Sequence, residues 1–226
     1  MTDTDGRHTM VTQLVAATLM VFAVFTAAAL AVLAWRQRPR PGAVPFAAIM
    51  LAVTAWVGAY SAGFWSTGLE TKLFWYRLEW LGVVSLPVAW IGFAAEYTGR
   101  DRYLTPKYVA LLSVVPALTV LLAWTNPAHH LVLTSASVVT YGEFAVLERN
   151  WGPWFWVHIV YSYSLLVAGA ALLFRLVVDS RTLYRGQATA LLVAVGAPWV
   201  GNVAYVTDLT GLPGFDPTPS RSSSPG

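Results

Sequence analysis

Two charged residues of opposite sign stand two positions apart in the apolar run KLFWYRLEWLG, Arg77 and Glu79. Residues two apart on a helix do not face each other, so these charges address different neighbours and do not make a simple ion pair. A second polar group lies in WFWVHIVYSYS, where spacings of three and four join His158 to Tyr161 and Ser162 on one helical face. A third, APWVGNVAYVTDL, carries Asn202 and Asp208, with Gly201 allowing close approach. Such residues in apolar runs suit either hydrogen bonding between helices or contacts to a polar ligand. His129, His130, Glu143 and Glu148 are of metal-ligating types, but no ligand spacing joins them, and neither a metal nor a cofactor is expected.

Several chemistries are excluded by composition. Cysteine is absent, which removes disulfides, thiolate metal sites and thiol nucleophiles. Lys72 and Lys107 are the only lysines and both sit at the margins of apolar runs, so no buried lysine is expected to be available for a retinal Schiff base. No phosphate-binding glycine loop and no GxSxG elbow occurs. The 14 basic residues are scattered, mostly over loops, and form no stripe for nucleic acid.

The elements that must position these residues follow from the apolar content. Of 226 residues 57% are apolar and 11% charged, too apolar for a soluble domain. About 20 apolar residues cross a bilayer as a helix, and six runs qualify: about 10–35, 43–65, 73–98, 107–126, 153–175 and 186–208. The expected fold is an all-α integral membrane bundle over 10–208, with a tail over 209–226. Pro87, Pro116 and Pro198 fall inside predicted helices and are expected to kink them.

Basic residues are retained on the cytoplasmic side. Arg36, Arg38, Arg40, Arg100, Arg102, Lys107, Arg175, Arg181 and Arg185 fall in alternate loops, against Arg7, Lys72, Arg149 and Arg221 in the others. Both termini are therefore expected outside. That topology puts Arg77, Glu79, His158, Tyr161 and Asn202 in the outer half, as an expected pocket among the third, fifth and sixth predicted helices beneath the long fourth loop. Glu96, at the inner end, reads as a headgroup anchor. All four histidines fall outside, so no phosphoacceptor histidine stands in the cytoplasm and the chain by itself is not expected to be an enzyme.

The series KLFWYRLEWLGVVSLPVAWIGFAAEYTGR, LAWTNPAHHLV, PWFWVHIVYSYSLL, RGQATALLVAVGAPWVGNVAYV and GLPGFDPTP resembles the N-terminal seven-transmembrane sensor region of microbial histidine kinases, most closely haloarchaeal versions. The likeness runs from about residue 10 to Pro219. It rests on Pro87, Trp90, Phe93, Tyr97, Gly99 and Arg100, on Thr125, Asn126 and His129, on Pro198, Asn202 and Tyr205, and on Asp216, Thr218 and Pro219. The resemblance implies a sensor in a two-component system that perceives an external small or apolar signal. Its expected partners are the lipid bilayer, cytoplasmic kinase or PAS modules in trans or in a full-length relative, and a second copy as homodimer. Where the family has a seventh helix this chain has SRSSSPG, so a truncated receptor is expected. A small multi-pass transporter or channel is the alternative, and no internal repeat favours it.

Overall fold

A computed structural model describes residues 3–141 and 144–179. The chain divides into two compact units, Met1–Leu176 and Val177–Gly226, and the description below is of the first. The predicted helix over 186–208, with Pro198, Asn202 and Asp208, lies outside the described residues.

The described residues are mostly helical: α1 (Asp3–Arg36), α2 (Ala43–Trp65), α3 (Leu69–Tyr97), α4 (Pro106–Leu112), α5 (Val114–Trp124) and α6 (Pro153–Asp179). Five stretches are long and apolar enough to cross a membrane, with α4 and α5 together forming one of them. Helices are the form such runs must take, because every backbone N–H and C=O in hydrocarbon needs a partner within its own segment. The hydroxyls obey the same rule. Thr54, Ser61, Ser85, Thr119, Thr125 and Ser164 each donate to the carbonyl four residues back.

The α2–α3 antiparallel pair is the spine of the bundle. α3 has the largest buried share among the five spans, 44% of its apolar window, which identifies it as the central helix. Gly82 makes the close approach possible: a Cβ there would stand 2.4 Å from the Ala52 carbonyl oxygen and 2.7 Å from the Trp56 backbone nitrogen. Small residues at helix interfaces are how membrane helices gain packing without a hydrophobic driving force. On α1, Ala27, Ala31 and Ala34 are buried at helical spacing, while Leu19, Phe22 and Phe25 are exposed as a lipid-facing surface would be.

α3 also closes both ends of α2, with the charge sign that the helix dipole favours. Lys72 Nζ donates to the Gly63 and Phe64 carbonyls at 2.8 and 3.4 Å, where α2 ends. Glu96 Oε2 accepts the Gly42 backbone N–H at 2.9 Å, where α2 begins. Gly42 is held at φ +82°, a conformation glycine adopts without strain. Glu96 is thus a helix cap and not the free headgroup anchor expected from the sequence.

Two prolines behave differently. Pro87 lies inside an unbroken α3. Pro116 follows the junction at Ser113 that separates α4 from α5. Having no N–H, Pro116 cannot bond the carbonyl four residues back, that of Leu112. Tyr161 of α6 donates its hydroxyl to that carbonyl, so the break is satisfied from a neighbouring helix.

The fourth loop is the main addition to the helical reading. After a 3-10 turn at Asn126–Ala128, strands β1 (Leu133–Tyr141) and β2 (Phe144–Trp151) pair antiparallel, from Tyr141↔Phe144 to Leu133↔Trp151. Asn126 fixes its base: Oδ1 accepts the N–H groups of Val132 and Leu133 at 2.9 and 3.0 Å, and Nδ2 donates to the Leu133 carbonyl at 2.9 Å.

Candidate functional site

Side chains on α3 recur every 3.6 residues, and this rotation sends Arg77 and Glu79 to separate places. Arg77 lines a cavity of about 280 Å3 shared with Glu70, Tyr76, His130 and the β1 residues Ser135 and Ala136. Glu79 lines another of about 170 Å3, with Tyr60, Phe64, Lys72, Leu147 and Arg149. The hairpin straddles the end of α3, so that β1 borders the first cavity and β2 the second. β2 alternates as a half-covered strand must: Ala145, Leu147 and Arg149 are half-buried, while Val146, Glu148 and Asn150 are exposed.

Arg149 is the residue that sequence reasoning counted only as a loop charge. Its guanidinium lies 5.1 Å from the centre of the Tyr76 ring and 5.2 Å from that of Trp151, a cation–π arrangement. Stacking engages the faces of the guanidinium and leaves its in-plane N–H donors free. Among the described residues Arg149 and Glu79 share the cavity without forming an ion pair, and neither has a hydrogen-bond partner. Lys72 borders the same cavity with its ammonium engaged by the end of α2.

Behind the cavities stands an aromatic block. Tyr76 and Trp80, one turn apart and both buried, pack edge to face at 6.1 Å. The Tyr76 hydroxyl and Trp80 Nε1 are buried without a hydrogen-bond partner among the described residues. Trp80 in turn meets the His158 ring edge-on at 5.1 Å.

His158 belongs to a different kind of environment. It is 2% exposed, and its ring nitrogens lie 3.4 Å from Thr119 Oγ1 and 3.1 Å from Ser162 Oγ. The hydrogens can be placed. Thr119 gives its single hydroxyl hydrogen to the Val115 carbonyl and accepts from Trp154 Nε1–H at 3.0 Å. It can therefore only accept from His158 Nδ1–H, and Nε2 then accepts from the Ser162 hydroxyl. His158 is neutral, each polar atom has a partner, and the network ties α5 to α6.

The five residues expected to share one pocket are thus dispersed. Arg77 and Glu79 border separate cavities, His158 sits in the α5–α6 network, Tyr161 serves the Leu112 carbonyl, and Asn202 lies outside the described residues. Residues of α2 and β2, not of α6, border the cavity of Glu79. The loop histidine His129 is structural: Nδ1 accepts the Leu131 N–H at 3.0 Å, leaving Nε2–H to donate to Thr125 Oγ1 at 3.0 Å. Among the described residues no group of three His, Cys, Asp or Glu is arranged to hold a metal ion.

A family model described as the N-terminal 7TM region of histidine kinase matches residues 19–223. Among curated proteins and among solved structures nothing matches.

Proposed function

We propose, from the premise that this chain belongs to the family of N-terminal 7TM regions of histidine kinases, that it receives an external small or apolar signal for a two-component receptor. The supporting observation is the hairpin seated over α3 with a cavity beside each strand and one ionisable α3 residue, Arg77 or Glu79, at each. Ionisable groups at membrane depth are costly and usually face partners or water-filled cavities. The excess of basic residues in alternate loops supports an outside N-terminus and hairpin end, where an external signal arrives. In this reading Arg77 and Glu79 contact the ligand, and His158 and Tyr161 transmit the change to α5 and α4. Kinase or PAS modules, in trans or in a full-length relative, read the result, and a second copy completes a homodimer. The chain itself carries out no phosphotransfer.

The mechanism is a population shift between two bundle arrangements that bind the ligand unequally. Because the chain has no cysteine, single and paired cysteines can be introduced cleanly. Ser137→Cys on β1 should react with a membrane-impermeant maleimide from outside intact cells. In liposomes, spin labels at Ser137→Cys and Val160→Cys should change separation by a few Å with compounds, drawn from a small-molecule library, that raise the melting temperature of the wild type but not of Glu79→Gln. Transmembrane flux of those compounds with no change in separation would instead establish a transporter.

A further inference from the structure

We infer that the cavity between α2, α3 and β2 is built for the ammonium and carboxylate of a free amino acid, received by Glu79 and Arg149 respectively. The inference rests on the sensing reading above and supplies the ligand class for it.

Three charged side chains border this cavity, Lys72, Glu79 and Arg149. Lys72 is engaged by the Gly63 and Phe64 carbonyls, which carry the negative end of the α2 dipole. That leaves one carboxylate and one guanidinium, half-buried, not paired with each other and without hydrogen-bond partners among the described residues. A half-buried charge beside a cavity can stay hydrated, but a ligand that displaces that hydration must pair with the charge or bear its desolvation cost. A simple anion would satisfy Arg149 and leave Glu79 alone, and a simple cation would do the reverse. Only a ligand bearing both charges, spaced to reach both, satisfies the two at once.

The protein groups suit those ends. The Arg149 guanidinium lies over the Tyr76 and Trp151 rings and has no hydrogen-bond partner among the described residues, and a guanidinium edge matches a carboxylate in bidentate fashion. The Glu79 carboxylate has only acceptors to offer, which suits an ammonium. Tyr60, Phe64 and Leu147 supply an apolar wall for a side chain. The volume, about 170 Å3, is below the roughly 300–1,000 Å3 of drug-sized sites, so a small aliphatic amino acid fits and a large aromatic one does not.

A phosphatidylethanolamine or phosphatidylserine headgroup also carries an ammonium beside an anionic group, so the test uses nanodiscs of pure phosphatidylglycerol. The full chain in such discs is titrated calorimetrically with each of the common L-amino acids and, for leucine, with 4-methylvalerate and isoamylamine. At least one small aliphatic amino acid should bind one per chain, with either half-ligand at least tenfold weaker. Glu79→Gln and Arg149→Gln should each weaken binding at least tenfold, and Arg38→Gln, exposed and bordering neither cavity, should change it less than twofold. Melting temperatures report whether each variant is folded; if Arg149→Gln is not, Glu79→Gln alone decides. Absence of binding by every amino acid to folded wild type, half-ligands as good as the whole, or indifference to Glu79→Gln would overturn the inference. If no amino acid binds but library compounds still change the label separation, the ligand class fails and the sensor reading stands. Binding that leaves the separation unchanged has the opposite meaning.

Discussion

His158 and Glu79 are both ionisable residues in the half of the bundle that carries the hairpin, yet their surroundings are opposite in kind. Around His158 every donor and acceptor is matched: Trp154 and His158 donate to Thr119, Thr119 to Val115, and Ser162 to His158. Glu79 has no hydrogen-bond partner among the described residues, and the counter-charge of Arg149 borders the same cavity without forming an ion pair with it. A satisfied polar network holds helices together, since in hydrocarbon its alternative is a set of orphaned groups. An unsatisfied pair bordering a cavity contributes little to folding and is available to a ligand. The depth of a polar residue in the membrane therefore does not distinguish a site from a support; the satisfaction of its hydrogen bonds does.

That contrast can be broken most forcefully at the closed network. His158→Ala removes a buried ring and orphans its partners, and should cost about 3 kcal/mol, read from the denaturant midpoint in detergent micelles. A loss under about 1 kcal/mol would show that the network does not hold α5 to α6. Thr119→Val keeps the shape but leaves the Trp154 and His158 donors without an acceptor, an expected cost of about 2 kcal/mol. In a double-mutant cycle the two should be non-additive by more than about 0.5 kcal/mol.

The open cavity should respond more weakly in stability. Arg149→Ala loses the stacking on Tyr76 and Trp151, worth about 1 kcal/mol. Glu79→Gln should alter stability by less than about 0.5 kcal/mol and be additive with Thr119→Val. A Glu79→Gln variant as destabilised as His158→Ala would place Glu79 among the supports and erase the distinction.

Much of the helical architecture was legible because its cause is local. A run such as 43–65 has to be a helix in lipid whatever it packs against, and α2 covers Ala43–Trp65. The opposite placement of Arg77 and Glu79 followed from helical rotation alone. The hairpin was not read, although TSASVVTY and FAVLERNW, rich in β-branched residues and joined by Gly142-Glu143, carry a hairpin signal. The apolar periodicity of the spans dominated, and a polar stretch between spans reads as loop when membrane crossing is the only question asked. Arg149 was missed for the same reason, since a loop charge gains a role only when a strand turns it inward.

The sequence by itself determined the membrane environment, the helical form of the spans and the family, because hydrocarbon admits few backbone solutions and the motifs are contiguous. Which polar residues are engaged and which are left open was decided only in three dimensions. Lys72 and Glu96 are both charged residues of α3, 24 positions apart, and become caps solely because α2 lies antiparallel alongside. Tyr161 completes the carbonyl that Pro116 deprives, across 49 residues of chain. Glu79 and Arg149, 70 positions apart, meet at one cavity because the hairpin folds back over α3. Each of these outcomes is a match between groups distant in sequence, and hydrogen bonds and ion pairs act over a few ångströms in space, whatever the separation along the chain.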